Sequence, residues 1–359
     1  MEYNTESENE KEELIPERLS PPEHPAACMP MPLTNTAFEP GHCLETVRAM
    51  EDEHLRGLAL AEYYYFSGQP EKAVQEAEPY LLSRHALLRL SACFICAFAN
   101  LATDHIRLAR RTLAESEKAA AESGGDSQPE QRSIGVFISA AAAILLHLPL
   151  RRELGEQIKT MNLTFLPQGL RSFACYIQAH YAYLQEDYGR SIGIVQTALS
   201  LQPEIYPIPD IYLHLIAAMD YMSLRQPEDA RGHLLAAWEL AQKDDLIEPF
   251  SEHHGLLGGM LEAVIKKKWP EDFRRIIDIT YAFSAEWRKI HNADSDHEVA
   301  DNLTTTEFAI AMLAARGWSN QDISSHLGIS MHTVKFHIAS VLSKLSVSKR
   351  SELKKYLLK

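Results

Sequence analysis

The chain has 359 residues, 46% of them hydrophobic and 23% charged. That is enough apolar content for a real core, and Gly and Pro (16 and 18) are too few for a collagen-like or low-complexity chain. The formal net charge is −14, unevenly placed: residues 303–359 hold eight Lys/Arg against three Asp/Glu, net +5, and the remainder holds 27 against 46, net −19. This argues against a protein that coats polyanions with its whole surface and points to a small cationic module on a large anionic body.

Met1 to Leu19 is acidic and has no apolar stretch of the signal-peptide kind, and residues 20–40 carry Pro21, Pro22, Pro25, Pro30, Pro32 and Pro40. Residues 1–40 therefore read as a disordered, Pro-rich leader. From 41 to 290 the apolar periodicity is helical almost throughout, without period-2 runs bounded by hairpin signals. Self-similarity runs through this region. Gln69-Pro70-Glu71-Lys72-Ala73 matches Gln226-Pro227-Glu228-Asp229-Ala230, and Trp269-Pro270-Glu271-Asp272-Phe273 is a third copy. Weaker copies fall at Asp104-His105, near Arg151 and at Asp187-Tyr188, with starts 35 to 46 residues apart. Each fits a short turn followed by a helix, with Pro, where present, at the first helical position and an acid beside it favoured by the helix dipole. A helix pair recurring at this period buries its apolar face only against its neighbours, which makes an α-solenoid. The Ala61, Tyr64, Gly68, Pro70, Ala73, Ala77 pattern resembles a tetratricopeptide repeat, and the later copies resemble the longer repeats of bacterial regulators. Such a body is expected to sense a ligand or a partner protein. Tyr63, Tyr64, Tyr181, Tyr183, Tyr212 and Tyr221 are candidates for its concave lining, but aromatics there more often belong to the core.

Three features of this region have plain structural explanations. Cys93 and Cys96 form a CxxC inside an apolar run with no neighbouring ligand residues, so they read as buried side chains one helical turn apart, and five cysteines imply no disulfide framework. Ser133 to Leu150 has no charged residue over 18 positions, near the minimum for a membrane span. Its Ser, Gly, His and Pro residues and its run of alanines read instead as a buried helix. The histidines show no metal spacing, and His253-His254 point to different helix faces. No cofactor or metal is implied.

A polar break at 291–302 separates the repeats from the cationic tail, 303–359. Thr304 and Glu307 form a capping box and Gly317 closes that helix. Ser319 and Asp322 cap a second helix that ends near Leu327-Gly328, Ser330 caps a third, and a fourth begins near Ser348. Two short helices joined by a tight turn with Gly make a helix-turn-helix, about 319–338. In the third helix Val334, Ile338, Val341, Leu342 and Leu345 form one apolar stripe. His332, Phe336, Ala339, Ser340 and Ser343 lie opposite, with Thr333 and Lys335 on the flanks. A helix so anchored can enter the major groove, and the N–H groups and side chains of Ser319 and Asn320 can hold a DNA phosphate.

The segment closely resembles the LuxR/GerE-type DNA-binding domain of bacterial regulators. The matching residues are Leu303, Thr304, Glu307, Gly317, Ser319, Asn320, Ile323, Leu327, Ile329, Ser330, Thr333, Val334, Lys335, His337, Ile338, Lys344, Leu345, Val347 and Arg350. The resemblance places Lys335, Phe336 and Ala339 at bases. It places Ser319, Asn320, Thr333 and Lys344 at the DNA backbone, and Ser330, Ser340 and Arg350 complete the expected DNA contacts. Leu353, Tyr356 and Leu357 of the last helix sit where members of the family pair. The whole chain is then expected to be all-α, a TPR-like solenoid of helix hairpins (41–290) followed by a four-helix LuxR-type domain. It resembles maltose-regulator-type proteins without their ATPase, for no GxxxxGK[ST] is present.

No nucleophile elbow, zinc spacing or paired-carboxylate signal is present, so an enzyme is not expected. The expected function is a cytoplasmic, sequence-specific transcriptional regulator of bacterial type. Its expected partners are double-stranded promoter DNA, bound as a homodimer, RNA polymerase, and a ligand or protein on the repeats, with no membrane. The alternative is a repeat scaffold whose tail makes protein contacts.

Overall fold

The computed structural model describes residues 30–103, 105–124, 129–145, 152–294 and 303–357, and no strand occurs among them. Helices α1 (Cys43–Ala49), α2 (Glu53–Phe66), α3 (Pro70–Ala77), α4 (Ala86–Ala102), α5 (Ile106–Gly124) and α6 (Pro129–Leu145) form the first half of the body. The second half is α7 (Arg152–Thr160), α8 (Gln168–Leu184), α9 (Tyr188–Leu201), α10 (Pro207–Ser223), α11 (Pro227–Ala241), α12 (Glu248–His253), α13 (Lys266–Lys268) and α14 (Pro270–Asp294). The tail holds α15 (Thr305–Ala315), α16 (Asn320–Leu327), α17 (Met331–Lys344) and α18 (Leu353–Leu357). Helices α3, α5, α7, α9, α11 and α14 open at or within two residues of the six repeat starts read from the sequence.

The repeats share a backbone signature as well as a residue pattern. The N–H of Gln69 donates to the carbonyl of Tyr64 at 2.8 Å, that of Asp187 to Ala182 at 2.9 Å, and that of Gln226 to Tyr221 at 2.8 Å. In each case the preceding residue, Gly68, Glu186 or Arg225, is left-handed with φ of 68°, 59° and 61°. This is the Schellman ending of a helix, which leads straight into the next helix of the hairpin.

The stack closes on itself. Tyr65 of α2 donates its hydroxyl to Glu252 of α12, the rings of Phe66 and Tyr212 meet edge to face, and α14 packs on α4. The inner face is filled by Tyr65, Phe66, Phe98, Phe173, Tyr176 and Tyr212, all buried. Of the candidate lining tyrosines, Tyr212 and Tyr183 belong to this buried set, while Tyr63, Tyr64, Tyr181 and Tyr221 are half-buried against it.

Two expected boundaries need correction. The leader is not disordered up to residue 40. Met31, Leu33 and Thr34 are buried, the N–H groups of Leu33 and Thr34 donate to the Glu62 carboxylate at 3.0 and 2.9 Å, and Met31 N–H donates to Ser91 Oγ. Proline count alone misleads here, because Met31, Leu33 and Phe38 supply apolar side chains that the repeats bury. Residues 1–29 lie outside the described residues. The linker is also shorter than read, because α14 continues helically through 291–294; residues 295–302 lie outside the described set.

Helix α6 buries Ile134, Phe137, Ile138, Ala140, Ala141 and Ile144 between its neighbours, and no described helix is long and apolar enough to cross a membrane. Residues 146–150 of that apolar run lie outside the described residues. Cys93 and Cys96 are free, buried thiols on α4. Burial pushes Cys93 up to about 12 and Cys96 higher still, the reverse of a reactive pair. Among the described residues no cluster of His, Cys, Asp or Glu could hold a metal ion. His253 bonds to Tyr176 and His254 to Glu262, in different directions.

Candidate nucleic-acid interface

Three side-chain caps set the helices of the tail. Thr304 accepts the N–H of Glu307 while Glu307 accepts that of Thr304, a complete capping box. Ser319 and Asp322 repeat the arrangement at α16, and Ser330 accepts the N–H of Thr333 at 3.0 Å to start α17. Gly328, with φ of 69°, ends α16 and turns the chain into α17. Trp318, Ile323, Val334, Ile338, Val341 and Leu353 form the small core beneath.

That core fixes which way α17 faces. Met331, His332, Lys335, Phe336, Ala339 and Ser343 are exposed, and Phe336, a large apolar ring, is 65% exposed. Lys335 has no ion-pair partner among the described residues. The repeats leave this face open. An exposed aromatic beside a free ammonium and a small residue, on a rigid rod with one buried stripe, is a surface suited to base edges and thymine methyls.

The other expected DNA contacts are partly committed inside the domain. Glu307 is buried with 7% of its side chain exposed and takes the Lys344 ammonium at 2.7 Å and the Ser340 hydroxyl at 2.7 Å. Burial raises this carboxyl, but Lys344, the Thr304 N–H and Ser340 outweigh it and hold the group down at about 2. Arg350 reaches Asn320 Oδ1 at 2.5 Å and the Trp318 carbonyl. Thr333 and Ser330 share a hydroxyl bond at 2.8 Å. Ser319 is exposed at the start of α16, with its Oγ on Asp322 N–H. Lys335, Phe336 and Ala339 thus stand free, while Ser340, Lys344, Asn320 and Arg350 hold the fold of the interface.

The expected pairing role of Leu353 needs correction: Leu353 is fully buried against the tail's own core and has no surface for a second chain. Leu357 is half-buried, and the Tyr356 side chain lies outside the described residues. Lys354 of α18 pairs with Glu186 of the body at 2.9 Å.

The sequence reading missed the seat on which the tail rests. Arg316, at the end of α15, donates to the Tyr183 hydroxyl and the Leu256 carbonyl, both at 2.6 Å. Arg225 donates to the Gly317 carbonyl at 2.9 Å. Phe308, Arg316 and Leu327 press on Gly255, Gly258 and Gly259, where any Cβ would come within 2.3, 2.7 and 2.6 Å of them. The signal was there in Gly255-Leu256-Leu257-Gly258-Gly259, glycines interrupting a helical pattern, which mark close backbone approach.

This geometry defines a helix-turn-helix regulator domain, and residues 301–357 match the family described as bacterial regulatory proteins, luxR family (GerE). The tail is a LuxR-family DNA-binding domain. Over 112 residues the chain is 34% identical to the response regulator protein VraR of Staphylococcus saprophyticus, covering 30% of this chain and 54% of that protein. Over 55 residues it is 44% identical to VraR of Staphylococcus aureus and of Staphylococcus epidermidis, covering 15% of this chain and 26% of those proteins. The chain thus spans about half the length of the first relative and about a quarter of the others. No solved structure matches.

Proposed function

We propose that the chain is a sequence-specific transcriptional regulator that binds duplex DNA through α17, with the helical-repeat body sensing a ligand or partner protein. The observation that carries this reading is the open outer face of α17, where Lys335, Phe336 and Ala339 are exposed on a helix whose opposite stripe is buried. Lys335 supplies a charged hydrogen-bond donor to base edges, while Phe336 and Ala339 offer apolar contact to thymine methyls. Ser319 and the N-terminal N–H groups of α16 hold a phosphate and set the register. The body, net −19, repels DNA, so contact is confined to the tail. Two copies would place their recognition helices about 10 bp apart on one face of the duplex.

Selection of bound sites from random duplexes by the full chain, followed by mobility shift, tests this. Affinity is expected to fall steeply with salt. Lys335→Ala is expected to flatten the preference among sequences by about 1–3 kcal/mol per discriminated base. An absence of salt-sensitive DNA affinity at micromolar protein would leave the tail as a protein-contact module instead.

A further inference from the structure

The inner face of the repeats is filled by its own aromatics, so a sensing site has to be sought elsewhere. A cleft of about 630 Å³ lies in the seam between body and tail, within the range of pockets for small ligands. The body contributes Arg225, Arg231 and Lys267 to its wall, and the tail contributes Trp318 and His326. Arg231 and Lys267 are exposed and carry no ion pair among the described residues. The Lys267 ammonium stands over the helix-turn-helix turn, 3.7 Å from where a Cβ on Gly328 would lie. The cleft also holds two acids, Asp322, bound in the cap of α16, and Glu228, so three cations stand against two carboxylates.

One polar atom of the seam lacks a partner: Trp318 is 5% exposed, and its indole Nε1 has no hydrogen-bond partner among the described residues. A buried N–H left unpaired is costly, so a site that leaves one beside a polar cavity is built for a molecule that pairs it. Met260 and Val264 line the same cleft. We propose that this seam binds a small phosphorylated ligand with an apolar or aromatic portion, its anion on Arg225, Arg231 and Lys267 and its apolar part against Met260, Val264 and Trp318. Arginine forks match phosphate oxygens two at a time. The enclosing walls and the unpaired Trp318 indole favour a small molecule over a DNA backbone. Because its walls come from both domains, such a ligand binds the docked arrangement best and holds it. This deepens the sensing role proposed above and rests on it.

Thermal melting of the full chain without DNA, with phenyl phosphate, inorganic phosphate and sodium chloride at matched ionic strength, tests the site apart from DNA binding. Phenyl phosphate at ten times its Kd is expected to raise Tm by about 2–4 °C, and inorganic phosphate by less. The double variant Arg231→Ala, Lys267→Ala is expected to abolish the shift while keeping the fold and the DNA affinity. A phenyl phosphate effect no larger than that of chloride, or one that survives in the variant, overturns the proposal. So does a variant that loses DNA affinity with a salt slope shallower by about 2, which would assign the cations to the DNA backbone.

Discussion

Glu307 joins the cap of one helix to the charge of another. Its carboxylate closes the capping box of α15 and holds Lys344 and Ser340 of α17, so it fixes the angle at which α17 is presented. Glu307→Gln is expected to cost about 1–3 kcal/mol, the scale for leaving a buried charged partner unpaired. Lys344→Ala is expected to cost a similar amount and Lys344→Arg much less, as read by urea unfolding and by amide exchange in α15 and α17. The pH dependence has a definite sign. The folded group is held down at about 2 against an ordinary value of 4.5, so its stabilisation is full above about 4.5 and lost as pH falls toward 2. In Glu307→Gln that acid sensitivity is absent. The sequence showed both halves of this contact, Glu307 as a cap and Lys344 as a cation near DNA, but not their union. The two residues are 37 apart, and only the packing of α17 on α15 brings them together.

At the level of elements, the hairpins were legible and the seat between domains was not. Hairpins declare themselves locally: Pro at the first turn, small residues at the crossings, a period in the thirties to forties. A docking surface depends on which backbone lies against which side chain, and composition records that only as glycines with no local reason to be there. The contrast can be tested within one residue type. Gly193 and Gly232 lie inside α9 and α11, where an added Cβ meets nothing within 4 Å. Gly193→Ala and Gly232→Ala are expected to stabilise the chain by about 0.5–1 kcal/mol, the helix preference of Ala over Gly. Gly255→Ala would place its Cβ 2.3 Å from Phe308. It is expected to lower Tm and to quicken amide exchange around Phe308 and Leu256, leaving α2 to α5 unchanged. Equal effects at the three sites would mean that the seat does not hold the tail.

Over the whole molecule, the closed body has buried several acids that an open stack would have left in water. Burial raises Glu62 to about 7 against its three hydrogen bonds from Leu33 and Thr34. It raises Asp210 to about 6 and Glu252, which accepts from Tyr65 and Tyr212, to about 7. Burial raises Asp220 to about 8, against a side-chain hydrogen bond from Ser191 and the charge of Arg316. In the unfolded chain these groups titrate near the ordinary values of 3.8 for Asp and 4.5 for Glu. Between about pH 5 and pH 8 the folded protein therefore holds protons that the unfolded chain has released. The contribution of these groups is full below about pH 4 and is lost as pH rises through the folded values. Below about 4.5 Glu307 acts in the opposite sense, so Tm is expected to peak near pH 4 and decline toward pH 8.5. Asp220 lies beside Arg316, the residue that plugs the tail into the body, so its share of the decline bears on the domain junction. Asp220→Asn keeps the shape and removes the ionisation. It is expected to gain about 1–3 kcal/mol over the parent at pH 8 and nearly nothing at pH 4, read as a flatter Tm–pH curve. A gain equal at both pH values would show that Asp220 is not the group whose ionisation strains the junction.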